Sequence, residues 1–88
     1  MKITVTKKDL ERGRRSSAWE CPIGYACART FNASYAFVGA TVCLSNGLCI
    51  DLKEIGLEKI TAFDKGEKVE PFEIRISAEA MYRAQKAQ

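Results

Sequence analysis

Histidine is absent from this chain. That removes the commonest general base, the commonest metal ligand and the side chain that titrates near neutrality. Proline occurs only twice and tryptophan once, and no Pro-, Gly- or Ser-rich stretch marks a linker or a low-complexity segment. No apolar run approaches the roughly 20 residues that cross a bilayer. The opening Met1-Lys2-Ile3-Thr4-Val5-Thr6 does not read as a signal peptide, because charge interrupts it before an apolar region develops. The expectation is a protein that avoids the membrane and works in a cytoplasm. The excess of one sign of charge over the other is also small. The formal net charge of +3 falls short of a strong non-specific nucleic-acid binder and argues against an acidic mimic of DNA. No glycine-rich phosphate loop is present, since Gly13 follows a helix and does not precede one.

What is there fits one domain over residues 1–88. A chain of 88 residues with 47% hydrophobic content is globular, but it buries only about 60–65% of its unfolded surface, so its core is thin. Homodimerisation is one way to compensate.

Ile3-Thr4-Val5-Thr6 is β-branched and reads as a strand. Thr6 is placed to cap a helix with Asp9 as its reciprocal partner, and Val5 and Leu10 are spaced as a hydrophobic staple. Gly13 should stop that helix. Arg14 to Glu20 is a polar loop carrying Trp19. Pro22 suits the first turn of a second helix, with Ile23, Cys27, Thr30 and Phe31 on one face. Tyr35 to Leu44 is a continuous apolar run that reads as one central strand, with Gly39 marking a bulge or a close contact. Ser45-Asn46-Gly47 signals a hairpin, and Leu48 to Ile50 returns. Asp51 with Glu54, and Ile50 with Ile55, repeat the box and staple before a helix from about Leu52 to Lys65. Leu52, Ile55, Gly56, Ile60 and Phe63 form its buried face, and Gly66 is its left-handed stop. Phe72, Ile74 and Ile76 alternate with charge as a half-buried strand, begun at an edge by Pro71. Phe63 and Phe72 are expected in the core. Ser77 then caps a last helix from Ala78 to about Lys86, so residues 77–88 read as a C-terminal helical extension. The order β-α-α-β-β-α-β-α predicts an α+β domain, with helices on one face of a small, largely antiparallel sheet of about four strands.

Ile3-Thr4-Val5-Thr6, Asp9-Leu10, Gly13 and Cys21-Pro22-Ile23 with Ala26 resemble the opening of a family of small, largely uncharacterised tailed-bacteriophage proteins. Phe63-Asp64 with Gly66, Val69 and Glu70-Pro71-Phe72 resembles its closing part. These blocks bracket roughly the first 76 residues, and the middle matches only as a hairpin with an Asn-Gly turn. The helix expected from Ala78 departs from the pattern. The resemblance implies a phage or prophage accessory protein in a bacterial host cytoplasm, and it carries over no catalytic residue.

Three kinds of chemistry are open to the residues. Lys7, Lys8, Arg12, Arg14 and Arg15 cluster ahead of Trp19. Arg12, Arg14, Arg15 and Trp19 are the candidate partner-binding residues, because Arg and Trp dominate interface hot spots and the loop has no evident structural duty. The same group could grip phosphate and a base, or form a solvated surface. Cys21, Cys27, Cys43 and Cys49 come as two pairs with five residues between the members of each. Four thiolates can hold zinc, but structural ligands sit two to four residues apart, so small buried hydrophobes are the plainer reading. In a three-residue hairpin loop Cys43 faces Cys49 and a disulfide is geometrically open; in a two-residue loop Leu44 faces Cys49. A cytoplasmic site argues against the disulfide. Cys21 precedes a helix start, where the dipole lowers a thiol pKa, yet a nucleophile lacks its base here. The expected function is non-enzymatic and cofactor-free, and the bacteriophage resemblance implies binding of a host protein or complex, for example to block a bacterial defence system in the manner of an anti-CRISPR inhibitor. The alternatives are a small nucleic-acid-binding protein and a cysteine- or zinc-dependent structural protein.

Overall fold

The computed structural model describes residues 2–39, 41–52 and 54–83, with the backbone alone for 54–56. The chain is α+β with antiparallel strands, as its pattern implies. Strands β1 (Lys2–Val5) and β5 (Phe72–Arg75) form a two-stranded ribbon. Strands β2 (Ala36–Val38), β3 (Thr41–Leu44), β4 (Leu48–Asp51) and β6 (Met81–Arg83) form a four-stranded sheet in that spatial order. Helices α1 (Lys7–Arg12), α2 (Pro22–Thr30) and α3 (Glu54–Asp64) complete the fold.

Local chemistry explains most of the element ends. The Thr6 hydroxyl accepts from the Asp9 N–H at 3.2 Å, and the Asp9 carboxylate accepts from the Thr6 N–H at 2.9 Å; this is the expected capping box. Gly13 does end α1, but with φ −65°, so left-handed backbone is not the reason. A Cβ at Gly13 would fall 2.4 Å from Pro22 Cγ, and the glycine is there to let the start of α2 approach. Gly66 does take the left-handed conformation, at φ 83°. The Gly66 N–H donates to Phe63 O and the Glu67 N–H to Ala62 O, both at 3.0 Å, which closes α3 in a Schellman motif.

Helix α2 is the centre of the molecule. It touches α1, β1, β2 and β3 and buries Ile23, Ala26, Cys27 and Ala28. The core it organises contains Ile3, Val5, Val38, Val42, Leu44, Ile50, Ile74 and Ile76. These are small or branched side chains, and none of the eight aromatic residues is fully buried.

Three expectations are corrected. The run from Tyr35 to Leu44 is two strands that fold back at Gly39, with Val38 opposite Val42. A single strand of ten residues would run about 33 Å, past the end of so small a core, whereas the hairpin lays Ala36, Val38, Val42 and Leu44 on it together. The segment after Ser77 is one 3₁₀ turn, Ala78–Ala80, followed by β6. Its residues favour a helix, but Ala80 reaches the core and the open edge of β4 offers a ladder, so tertiary context overrides propensity. The end of the expected helix, with the rest of the extension through residue 88, lies outside the described residues, as do the side chains of Glu54 and Ile55. Finally, Phe63 and Phe72 are half-buried at the rim of the core, not within it.

Candidate functional site

Strand alternation sends every second side chain of the four-stranded sheet away from α2. The registers Phe37–Cys43, Cys43–Cys49 and Cys49–Tyr82 set these four residues in one row across β2, β3, β4 and β6. Tyr35 extends the row at the β2 end, and the 14–20 loop adds Trp19. The Trp19 ring stands edge-on to Phe37 at 4.9 Å and to Tyr35 at 5.6 Å between centroids, the geometry that aromatic quadrupoles favour. Trp19, Tyr35, Phe37 and Tyr82 are 57, 55, 43 and 46% exposed. They account for four of the five large exposed hydrophobic side chains among the described residues. Such a concentration on one face marks an interaction surface more often than chance scatter does.

The loop that delivers Trp19 is built, contrary to the expectation of a segment without structural duty. The Ala18 carbonyl accepts from the Val38 N–H at 2.8 Å, which ties the loop to the free edge of β2. The Ser16 N–H donates to Asp64 Oδ1 at 2.8 Å, and the Glu20 N–H to Ser17 Oγ at 3.1 Å. Arg14 pairs with Glu20 at 2.9 Å. The guanidinium of Arg15 lies over Gly66, where a Cβ would come within 3.1 Å of its Cζ. Arg12 sits over the Tyr25 ring at 4.2 Å. The four candidate residues therefore do not converge: the arginines each have their own neighbour, and only Trp19 joins the aromatic face.

The acid–base chemistry is structural. Arg29 donates to both oxygens of the buried Asp9 carboxylate, at 2.7 and 2.8 Å, and to Thr4 O at 2.9 Å. Burial pushes the Asp9 carboxyl up, but the hydrogen bonds from Arg29 and Thr6 outweigh it and hold the carboxyl below its ordinary 3.8. Arg29 thereby joins α1, α2 and β1.

The four cysteines do not come together. Cys21 and Cys27 lie in the core; Cys43 and Cys49 lie on the opposite face of the sheet from α2. Among the described residues no group of three or more His, Cys, Asp or Glu side chains is placed to hold a metal, so the four-cysteine zinc site is not formed. Burial raises the Cys21 thiol despite the N–H groups of Ile23 and Gly24 at the helix start, and pushes Cys27 up to about 12. Neither is an activated thiolate. The hairpin closes through the Gly47 N–H to Leu44 O at 3.0 Å, the three-residue loop, which selects the register that sets Cys43 against Cys49.

The apolar recess among Leu10, Pro22, Phe63 and Phe72 has about 10 Å³ free, barely one water and no substrate. No helix of the described residues is long and apolar enough to cross a membrane. No protein-family model, curated protein or solved structure matches this chain.

The aromatic row escaped the sequence reading because Tyr82 fell in an expected helix and Phe37 in an unbroken strand. The signal that could have found it is the alternation of Tyr35 and Phe37 with Ala36 and Val38, read together with the Cys43–Cys49 register.

Proposed function

We propose that this chain is a non-enzymatic protein-binding module and that it engages its partner through the outward face of the four-stranded sheet. The observation that carries the reading is the gathering of Trp19, Tyr35, Phe37 and Tyr82 on that face. Rigid aromatic rings on regular strands give a large contact area at little cost in conformational entropy, and they dominate interface energetics. Arg14 and Arg15 belong to the same loop as Trp19 but turn to Glu20 and Gly66, and charge outside an interface core steers encounter more than it adds affinity. The bacteriophage resemblance makes the partner a protein or complex of the bacterial host, with obstruction of a defence system as the concrete version.

A protein partner fits better than nucleic acid. Among the described residues, the sheet positions of the face itself carry Asp51 and Thr41 and no lysine or arginine, and the loop arginines already have neighbours. Single-stranded nucleic acid needs a cationic track beside its stacking rings.

The test is capture of partners from the host bacterium by the wild type and by a Trp19→Ala/Phe37→Ala double variant whose circular dichroism matches the wild type. The expected result is a protein recovered with the wild type and lost with the folded variant. Equal recovery overturns the assignment of the face. A bound nucleic acid whose affinity falls steeply with salt would replace the protein partner with the second class.

A further inference from the structure

Cys49 is buried, yet it does not belong to the core cluster. It lies on the aromatic face, with Cys43 opposite on β3 and Tyr82 opposite on β6. The two sulfurs are 2.9 Å apart and unbonded.

The ladder determines which kind of pair this is. The Val38 N–H points away from β3, to Ala18 O, so Val38 and Val42 are not hydrogen-bonded to each other. Pairing alternates along an antiparallel ladder and from one side of a strand to the other. Val42 and Ile50 are therefore a hydrogen-bonded pair, and Cys43 and Cys49 a non-hydrogen-bonded one. The Ser45 N–H to Tyr35 O bond at 3.0 Å gives the same phase. In such pairs the Cα atoms stand about 4.5 Å apart, at the short end of the range a disulfide spans. A bond closed at that limit is more readily reduced than a relaxed structural one.

We propose that Cys43 and Cys49 form a reversible thiol–disulfide exchange site whose oxidant is a low-molecular-weight disulfide of the glutathione class. Cys43, half-exposed, is the sulfur an incoming reagent reaches. Its thiolate attacks one sulfur of the small disulfide. The S–S bond breaks, and its electron pair leaves on the second sulfur as a thiolate, which takes up a proton. Cys49 then attacks the Cys43 Sγ of the mixed disulfide and expels the other small thiolate, to which its own proton passes. The protein gives up two protons and two electrons, and the reagent becomes two thiols. Burial, with Cys43 close by, pushes the Cys49 thiol up to about 11, which suits it to the second, intramolecular step and not to the first. Cys21 and Cys27 take no part, being enclosed in the core on the other side of the sheet. Reversibility removes the objection that a cytoplasm reduces structural disulfides: a labile pair follows the thiol poise around it.

The experiment equilibrates the reduced, folded protein with a series of reduced-to-oxidised glutathione ratios, quenches with acid, alkylates, and maps the peptides by mass spectrometry. The expected result is loss of two hydrogens confined to the peptides carrying Cys43 and Cys49, restored by excess reduced glutathione. Cys49→Ser should instead accumulate a glutathione adduct on Cys43, and Cys43→Ser should take up neither modification. If either serine variant fails to fold, the alanine variant at the same position is measured. No paired oxidation at the most oxidising ratio, oxidation of Cys21 with Cys27 in its place, or a glutathione adduct persisting on Cys43 of the wild type would each overturn the proposal.

Discussion

On the side of the β2–β3–β4–β6 sheet that meets α2, the buried strand residues are Ala36, Val38, Val42, Leu44 and Ile50. On the other side the corresponding row is Phe37, Cys43, Cys49 and Tyr82, with Trp19 and Tyr35 beside it. The inner side is aliphatic and enclosed; the outer side is aromatic, thiol-bearing and largely open. An 88-residue chain has little stability to spare, and aromatic rings are the largest hydrophobic contribution a side chain can make. Those rings stand outside while Ile, Val and Ala fill the interior. The first side holds the chain together; the second is the side we propose for contact.

That contrast can be broken at several depths. The largest effect is expected on the inner side: Ile50→Ala should cost about 2–5 kcal/mol, read as a fall in the denaturant midpoint. A near-neutral result would show that the inner side is not the core. Next comes the ion pair between the half-exposed Arg29 and the buried Asp9, which ties α2 to α1 and β1. Arg29→Ala removes two charge-assisted hydrogen bonds from the Asp9 carboxylate but leaves water access on the arginine side, and should cost about 1.5–3 kcal/mol. The sign of its pH dependence follows from the lowered Asp9 value. A carboxyl held below its unfolded pKa contributes stability that is whole above the unfolded value and vanishes as pH falls through the folded one. Wild-type stability should therefore drop from pH 5 downward more steeply than that of Asp9→Asn, a difference that paired urea titrations at each pH would expose.

Phe63 and Phe72 lie between the two extremes. Full burial would make their loss cost about 3–5 kcal/mol; at half burial, Phe72→Ala should cost about 1–2 kcal/mol, measurable as a modest shift in thermal midpoint. The smallest effect on folding belongs to the outer side. Trp19→Ala and Phe37→Ala should each change stability by about 1 kcal/mol or less, the worth of an exposed ring pair, while abolishing partner capture. A large destabilisation by either would make the outer row a structural element and erase the contrast.

How much of this could be read from the residues depends on how local the cause is. The Thr6–Asp9 box, the Pro22 start of α2, the Asn46-Gly47 turn and the Gly66 stop involve neighbours within five positions, and each is where its local chemistry puts it. The break at Gly39, the strand Met81–Arg83 and the half-burial of Phe63 depend on how much core there is to cover and on which strand edge lies open. No local pattern carries that information. The candidate site is legible to the same degree: Trp19 is visible as an aromatic in a polar loop, but its partners Tyr35 and Phe37 come from β2 and the residue ahead of it, which only the folded sheet places beside it.

The pairing of β1 with β5 has a consequence for how the chain is made. Lys2 lies opposite Arg75 and Val5 opposite Phe72, so β1 finds its partner only when the chain as far as β5 has followed. At about 5–20 residues per second, Ile3 and Val5 wait several seconds with their backbone groups unpaired. Closing so long a loop is entropically slow, and until it closes an apolar strand edge is available to other nascent chains. Closure of this ribbon therefore follows synthesis of the segment between its strands, and a ribosome that stops before Phe72 releases a chain in which β1 lacks β5.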